Sequence, residues 1–208
     1  MLQPCLRSGQ IYAGMRIGLL GGSFNPAHAA HREMSLYALK RLGLDEVWWL
    51  VSPQNPLKPE KGMAPFAVRL EAARKFARHL RIRATDLEAQ LGTRYTVCTL
   101  RKLRKHFPHT RFVWLMGADN LRQIPKWHRW TEIFTLAPIA VFRRQGYGFS
   151  AFGKAALRFA ASRHQVNGCG RKLASLTAPA WLVLGNRLNL LSATAIRRHS
   201  NQDEAARG

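Results

Sequence analysis

The chain is expected to form one α/β domain with a doubly wound, mainly parallel sheet, and three observations predict that class. Runs of strand length alternate with segments of helical period along most of the chain, the pattern of successive βαβ units. Glu46-Val-Trp-Trp-Leu-Val-Ser52 is apolar at nearly every inner position, as in parallel strands covered on both faces. The first apolar run, Ile17-Gly-Leu-Leu20, passes through Gly21-Gly22 directly into a helical segment. Such a junction presents free backbone N–H groups to an anion.

In order, residues 1–14 lack the apolar core of a signal peptide. They are expected to be a flexible extension ahead of a domain spanning 15–199, with 200–208 as a tail. Residues 33–42 repeat apolar side chains near the helical period, and Gly43 is a natural stop. A second strand over 46–52 completes a βαβ unit. Prolines 53, 56, 59 and 65 then mark an irregular loop beyond that strand, where doubly wound sheets bind ligands. A helix with basic outer positions is expected over 66–79, a strand over 80–84 leading to Asp86 and Glu88, and a helix over 95–107 that stops before Pro108. The run 111–116 is the clearest strand, with Gly117-Ala-Asp-Asn120 capping the next helix. Trp127-His-Arg-Trp130 opens a short helix, and 139–142 is a strand. Residues 143–150 are loop-like, 151–163 a helix, 180–184 the last strand, and 192–198 the last helix.

At 208 residues and 47% hydrophobic content, one well-buried core suffices. The run lengths exclude a membrane-spanning helix, which needs about 20 apolar residues. Cys5, Cys98 and Cys169 are scattered and odd in number, which fits neither a disulfide framework nor a metal knuckle and points to a reducing cytoplasm. A formal charge of +22 attracts polyanions. Nucleotide phosphate, with a general compositional bias, explains it, and nucleic acid is the alternative.

His28 and His31 lie three apart, on one face of the first turn of the first helix. Zinc would need further ligands at compatible spacing. One histidine could instead cap the helix while the other is solvated, or both could donate hydrogen bonds to phosphate oxygens. Ser192-Ala-Thr-Ala-Ile-Arg197 forms a second possible anion site, with Ser192 as N-cap and Thr194 and Arg197 on one side of the helix. By itself a Ser-x-Thr cap is more often structural. A helix N-terminus contributes only about 0.3 to 1 kcal/mol toward an anion, whereas a charge-assisted bond from Arg gives about 1.5 to 3 kcal/mol.

Gly22-Ser-Phe-Asn-Pro-Ala-His28 with His31, paired with Ser192 to Arg197 far downstream, resembles the HxGH and ISSTxIR-type signatures of the nucleotidyltransferase superfamily. Gly117-Ala-Asp-Asn120, Trp127-His-Arg-Trp130, Tyr95-Thr96 and the Pro53 to Lys58 stretch resemble the nicotinate-nucleotide adenylyltransferases in particular. The resemblance implies a Rossmann-like domain that moves AMP from ATP, carried with Mg²⁺, to nicotinate mononucleotide, giving deamido-NAD and pyrophosphate. It implies ATP contacts at Gly22, Ser23, Phe24, His28, His31, Lys58, Gly117, Asp119, Ser192, Thr194 and Arg197, with His28, His31 and Arg197 catalytic. It places nicotinate mononucleotide against Thr96, Asp119, Trp127 and His128. No resident metal, membrane or nucleic-acid partner is implied, and the oligomeric state is left open.

Three positions depart from the family pattern: Ala30 where glycine is usual, Leu57 for a histidine, and Cys98 for an acid. Alternatives are a related enzyme acting on nicotinamide mononucleotide or phosphopantetheine, or a basic nucleic-acid-binding protein that keeps the motifs without the activity. Trp48, Trp49, Trp114 and Trp181, all within apolar runs, are expected in the core.

Overall fold

The structure is a computed structural model that describes residues 4, 6, 9–54, 62–143, 153–165 and 170–185. Strand β1 (Arg16–Gly22) leads through a turn into α1 (Ala29–Leu42), then β2 (Glu46–Val51), α2 (Phe66–Ala77) and β3 (Ile82–Thr85). The short α3 (Leu87–Gln90) and α4 (Thr96–His106) return the chain to β4 (Arg111–Gly117). Beyond it come α5 (Ala118–Gln123), α6 (Trp130–Leu136), β5 (Ile139–Phe142), α7 (Gly153–Arg158), β6 (Arg163–His164) and β7 (Trp181–Leu184).

The strands form one seven-stranded sheet in the order β3-β2-β1-β4-β5-β7-β6. Every neighbouring pair is parallel. The chain first winds outward from β1 to β3, then crosses back to β4 and winds the other way. The order therefore reverses between β1 and β4, the place where such sheets open a crevice beyond the carboxyl ends of the strands.

Alternation along the strands builds two cores. Leu20, Trp49, Val113 and Leu115 pack with Met34, Ala38 and Leu42 of α1 and Leu70 and Ala73 of α2. Leu19, Trp48, Trp114 and Met116 pack on the opposite face with Leu87, Val97, Leu100, Leu121 and Phe134. All six β2 residues are buried, as a strand covered on both faces requires. The four tryptophans expected in the core are there.

Gly43 closes α1 in the left-handed conformation at φ 61°, where a Cβ would be strained. A Cβ on Gly21 would meet the Trp114 ring at 2.6 Å, so the glycine leaves the room on the sheet face that this ring fills. Buried Glu46 accepts the Trp48 indole N–H at 2.9 Å and is gripped by Arg83 at 2.7 Å, which compensates its loss of solvent.

One stretch differs from the sequence expectation. The helix expected over 151–163 ends at Arg158, and Arg163–His164 instead pair with β7 at the sheet edge. Phe159 causes the turn: its ring stacks on Phe134 at 4.1 Å and its carbonyl accepts the Trp181 indole N–H at 2.7 Å. Ahead of β1, within the expected extension, Tyr12 is 4% exposed and sits edge-on to Trp48 at 4.8 Å. Among the described residues, no helix is long and apolar enough to cross a membrane.

Candidate active site

The neighbouring strands β1 and β4 end at Gly22 and Gly117, and the residues just beyond them follow the point where the strand order reverses. His28 is the extended N-cap of α1 and His31 its third residue. The His28 backbone N–H donates to His31 Nδ1 at 3.2 Å. In a neutral His31 an accepting Nδ1 puts the proton on Nε2. The two imidazole rings lie 3.8 Å apart. His28 is buried and His31 half-buried.

Phe24 lies beneath this pair. Its backbone is left-handed at φ 47°, a sparsely populated conformation for a bulky side chain. That bend drives its ring inward, where it packs 4.7 Å from His31 and stacks on Trp49 at 5.1 Å. The Phe24 side chain thus supports His31 from below. Ser23 is 5% exposed, and its hydroxyl has no partner among the described residues. An orphaned buried hydroxyl beside a helix N-terminus suits an anion that supplies the missing acceptor.

Asn25 braces the same turn, donating to the Gly62 carbonyl at 3.0 Å and accepting from the Ala64 N–H at 3.3 Å. Ala30 is buried in α1, and the helix continues through it without interruption.

Across the crossing point, Gly117 is the N-cap of α5 and Asp119 lies in its first turn, half-buried. Tyr95 caps α4, which places Thr96 at its first position. The Tyr95 ring lies 4.6 Å from that of His128. The structure thereby brings the α4 start and the 127–130 turn together, although they are far apart in sequence. Trp127 is half-buried against the core and comes after a single 3-10 turn, Ile124–Lys126. Cys98 is half-buried in the first turn of α4. Lys58, Ser192, Thr194 and Arg197, together with Leu57, lie outside the described residues.

A buried polar network underlies both halves. Glu88 Oε1 accepts the Thr99 hydroxyl at 3.1 Å, and the Thr93 and Thr99 hydroxyls are 2.8 Å apart. Burial raises the Glu88 pKa from 4.5 to about 7, against the opposing effect of hydrogen bonds from Thr99 and Ser52. The Ser52 N–H donates to the Gly22 carbonyl at 2.9 Å.

The helix over 66–79 is expected to carry its basic residues on outer positions, and Arg69 is an exception. It is 2% exposed. Sequence reasoning missed its function, although a signal existed: Arg69 falls in register with Phe66, Leu70, Ala73 and Ala77, on the apolar stripe.

A parallel sheet whose reversal point faces a glycine turn, two histidines and an orphaned hydroxyl is the frame of a nucleotide-handling transferase. Residues 19–199 match the family model described as cytidylyltransferase-like. A relative from Parvibaculum lavamentivorans named "Probable nicotinate-nucleotide adenylyltransferase" is 51% identical over 88% of this chain and 92% of its own. One of the same name from Gluconobacter oxydans is 50% identical over 88% of this chain and 94% of its own. The chain belongs to this family of nicotinate-nucleotide adenylyltransferases. In fold it resembles the Plasmodium falciparum nicotinic acid mononucleotide adenylyltransferase solved with NaAD, with a TM-score of 0.68 at 16% identity over 88% of this chain and 83% of that one.

Proposed function

We propose that the protein transfers AMP from ATP to nicotinate mononucleotide, producing deamido-NAD and pyrophosphate. The observation that carries this reading is that the Gly22–Ser23 turn with His28 and His31 follows β1 while Asp119 follows β4, the two neighbouring strands at which the sheet order reverses. Relatives of that name at about half identity support the same reaction.

In the reaction, a 5′-phosphate oxygen of the mononucleotide attacks the α-phosphorus of ATP. A P–O bond forms to the acceptor, the bond from the α-phosphorus to its bridging oxygen breaks, and the electron pair leaves with pyrophosphate. A phosphate monoester has its second pKa near 6, so the nucleophile is already ionised at neutral pH and no general base is required. Catalysis then consists of alignment and of stabilising charge on the transferred group.

The Gly22 and Ser23 turn and the His28 and His31 imidazoles supply donors for that charge. Lys58, Ser192, Thr194 and Arg197 would grip the β and γ phosphates. Gly117 lets adenosine approach the sheet end, and Asp119 orients ribose. Thr96 and His128 would receive the acceptor carboxylate while Trp127 stacks on its ring. Mg²⁺ enters with ATP as part of the substrate, held by phosphate oxygens and water. Among the described residues, no group of three His, Cys, Asp or Glu side chains is arranged to hold a metal ion. Both substrates are water-soluble, which suits a cytoplasmic enzyme. We place the activity in residues 15–199.

The test is pyrophosphate release from ATP with nicotinate or nicotinamide mononucleotide as acceptor. The acid is expected to give at least about tenfold higher kcat/KM, equivalent to some 1.4 kcal/mol of preference. Absence of release with the acid overturns the assignment.

A further inference from the structure

Arg69 has a role that the reaction chemistry alone does not call for. From the buried face of α2, its Nη1 donates to the Ser23 carbonyl at 2.6 Å and to the Ser52 carbonyl at 2.8 Å. Nη2 donates to the Pro53 carbonyl at 2.7 Å and Nε to the Ala64 carbonyl at 2.8 Å. The Phe66 ring centre lies 5.7 Å from the guanidinium carbon. One planar fork therefore joins three backbone segments: the turn after β1, the end of β2 and the approach to α2. Only a guanidinium has donors in this fixed array, since an ammonium is a compact point charge.

Peptide geometry carries the effect of this fork into the turn. The Ser23–Phe24 peptide is trans, so its C=O and N–H point in opposite directions. Drawing the Ser23 carbonyl onto Arg69 turns the Phe24 N–H away from α2. The same bond stabilises the unusual Phe24 conformation that seats its ring under His31. Burial lowers the Arg69 pKa from its ordinary value, yet a guanidinium stays charged at neutral pH. Positive potential is thus added directly behind the turn.

We propose that Arg69 is a positioning residue for the ATP triphosphate, clamping the turn after β1 so that its outward amides and His31 are held ready for the anion. This inference rests on the ATP-dependent reaction proposed above.

The test compares wild-type enzyme with Arg69→Lys, which keeps the charge and loses the fork. Thermal unfolding verifies that the variant folds. The KM for ATP is expected to rise at least tenfold, with the KM for nicotinate mononucleotide within twofold of wild type. A merely structural residue would lower the amount of active enzyme, reducing apparent kcat and leaving both KM values unchanged. That outcome, or equal rises in both KM values, overturns the proposal.

Should Arg69→Lys fail to fold, wild-type protein labelled with ¹⁵N-arginine decides. The Arg69 Nε resonance should shift on adding a non-hydrolysable ATP analogue and not on adding nicotinate mononucleotide. No shift with the analogue overturns the proposal. If the wild-type enzyme does not turn over nicotinate mononucleotide, the proposed reaction falls separately. Calorimetric affinity for the ATP analogue then judges Arg69 alone: tenfold weaker binding by Arg69→Lys supports the clamp, and equal affinity overturns it.

Discussion

Besides His28 and Tyr12, three ionisable side chains are buried among the described residues, and each is accommodated by different means. Glu46 is paired with Arg83, Arg69 is surrounded by carbonyls, and Glu88 is held by hydroxyls. The hydroxyl environment is the weakest compensation for a carboxylate, so Glu88 keeps its proton to about pH 7 where an ordinary glutamate loses it near 4.5. The folded state therefore binds more protons than the unfolded state between those values, and stability falls as pH rises through that window. The full loss corresponds to roughly 3 kcal/mol. Glu88→Gln keeps the shape and removes the titration. Its stability relative to wild type should climb between pH 4.5 and 7 and level off above, as read from urea midpoints at stepped pH. Parallel profiles for the two proteins would refute a buried titrating Glu88.

At the scale of elements, the acceptor half depends on how the 124–130 segment is turned. A 3-10 turn, Ile124–Lys126, closes with the Trp127 N–H on the Ile124 carbonyl at 2.8 Å, and Arg129 then takes a left-handed φ of 48°. These two bends anchor Trp127 partly in the core and leave the rest of its surface for a ligand. Stacking on an aromatic side chain is worth about 1 to 3 kcal/mol per base. Trp127→Ala is therefore expected to raise the KM for nicotinate mononucleotide at least tenfold and that for ATP less than threefold, measured by varying each substrate at saturation of the other. Equal effects would remove Trp127 from the ring-binding role.

Periodicity made most of these elements legible beforehand. Strands 46–51 and 139–142 stood out because both faces are buried, and α1 because Gly43 ends it. The two-residue β6 was not legible, since two residues have no period, and just ahead of it the Phe159 carbonyl accepts the Trp181 indole N–H, a contact between positions far apart in sequence. The contact between Tyr95 and His128 was likewise hidden, because nothing local relates those positions. Arg69 was the nearest miss: its charge suggested solvent, while its register already placed it inside.

Over the whole molecule, acids are scarce, 11 against 33 Lys and Arg, and several of them serve the frame. Asp45 binds Arg16, and Glu132 binds both Arg101 and Arg129. The remaining positive charge favours the approach of anionic substrates. The fold class could be predicted because alternating strands and helices leave few parallel topologies open. What could not be predicted is where the domain begins. Residues ahead of β1 show no period, yet Tyr12 fills a place between Trp48 and Phe107, with ring centres at 4.8 and 6.2 Å. Its carbonyl accepts the Thr110 hydroxyl at 2.8 Å, and the Gly14 N–H donates to the His109 carbonyl at 2.7 Å. The segment thus closes the core beneath β2 and secures the loop that feeds β4, so that the two strands flanking β1 share a support. Removing a buried aromatic of this size costs about 3 kcal/mol or more. Tyr12→Ala should destabilise the protein by that amount, read from the urea midpoint, while leaving both KM values unchanged, because Tyr12 packs against the sheet and touches none of the candidate ligand contacts. A midpoint equal to wild type would mean that the segment merely rests on the core, and that the domain is complete from β1 onward.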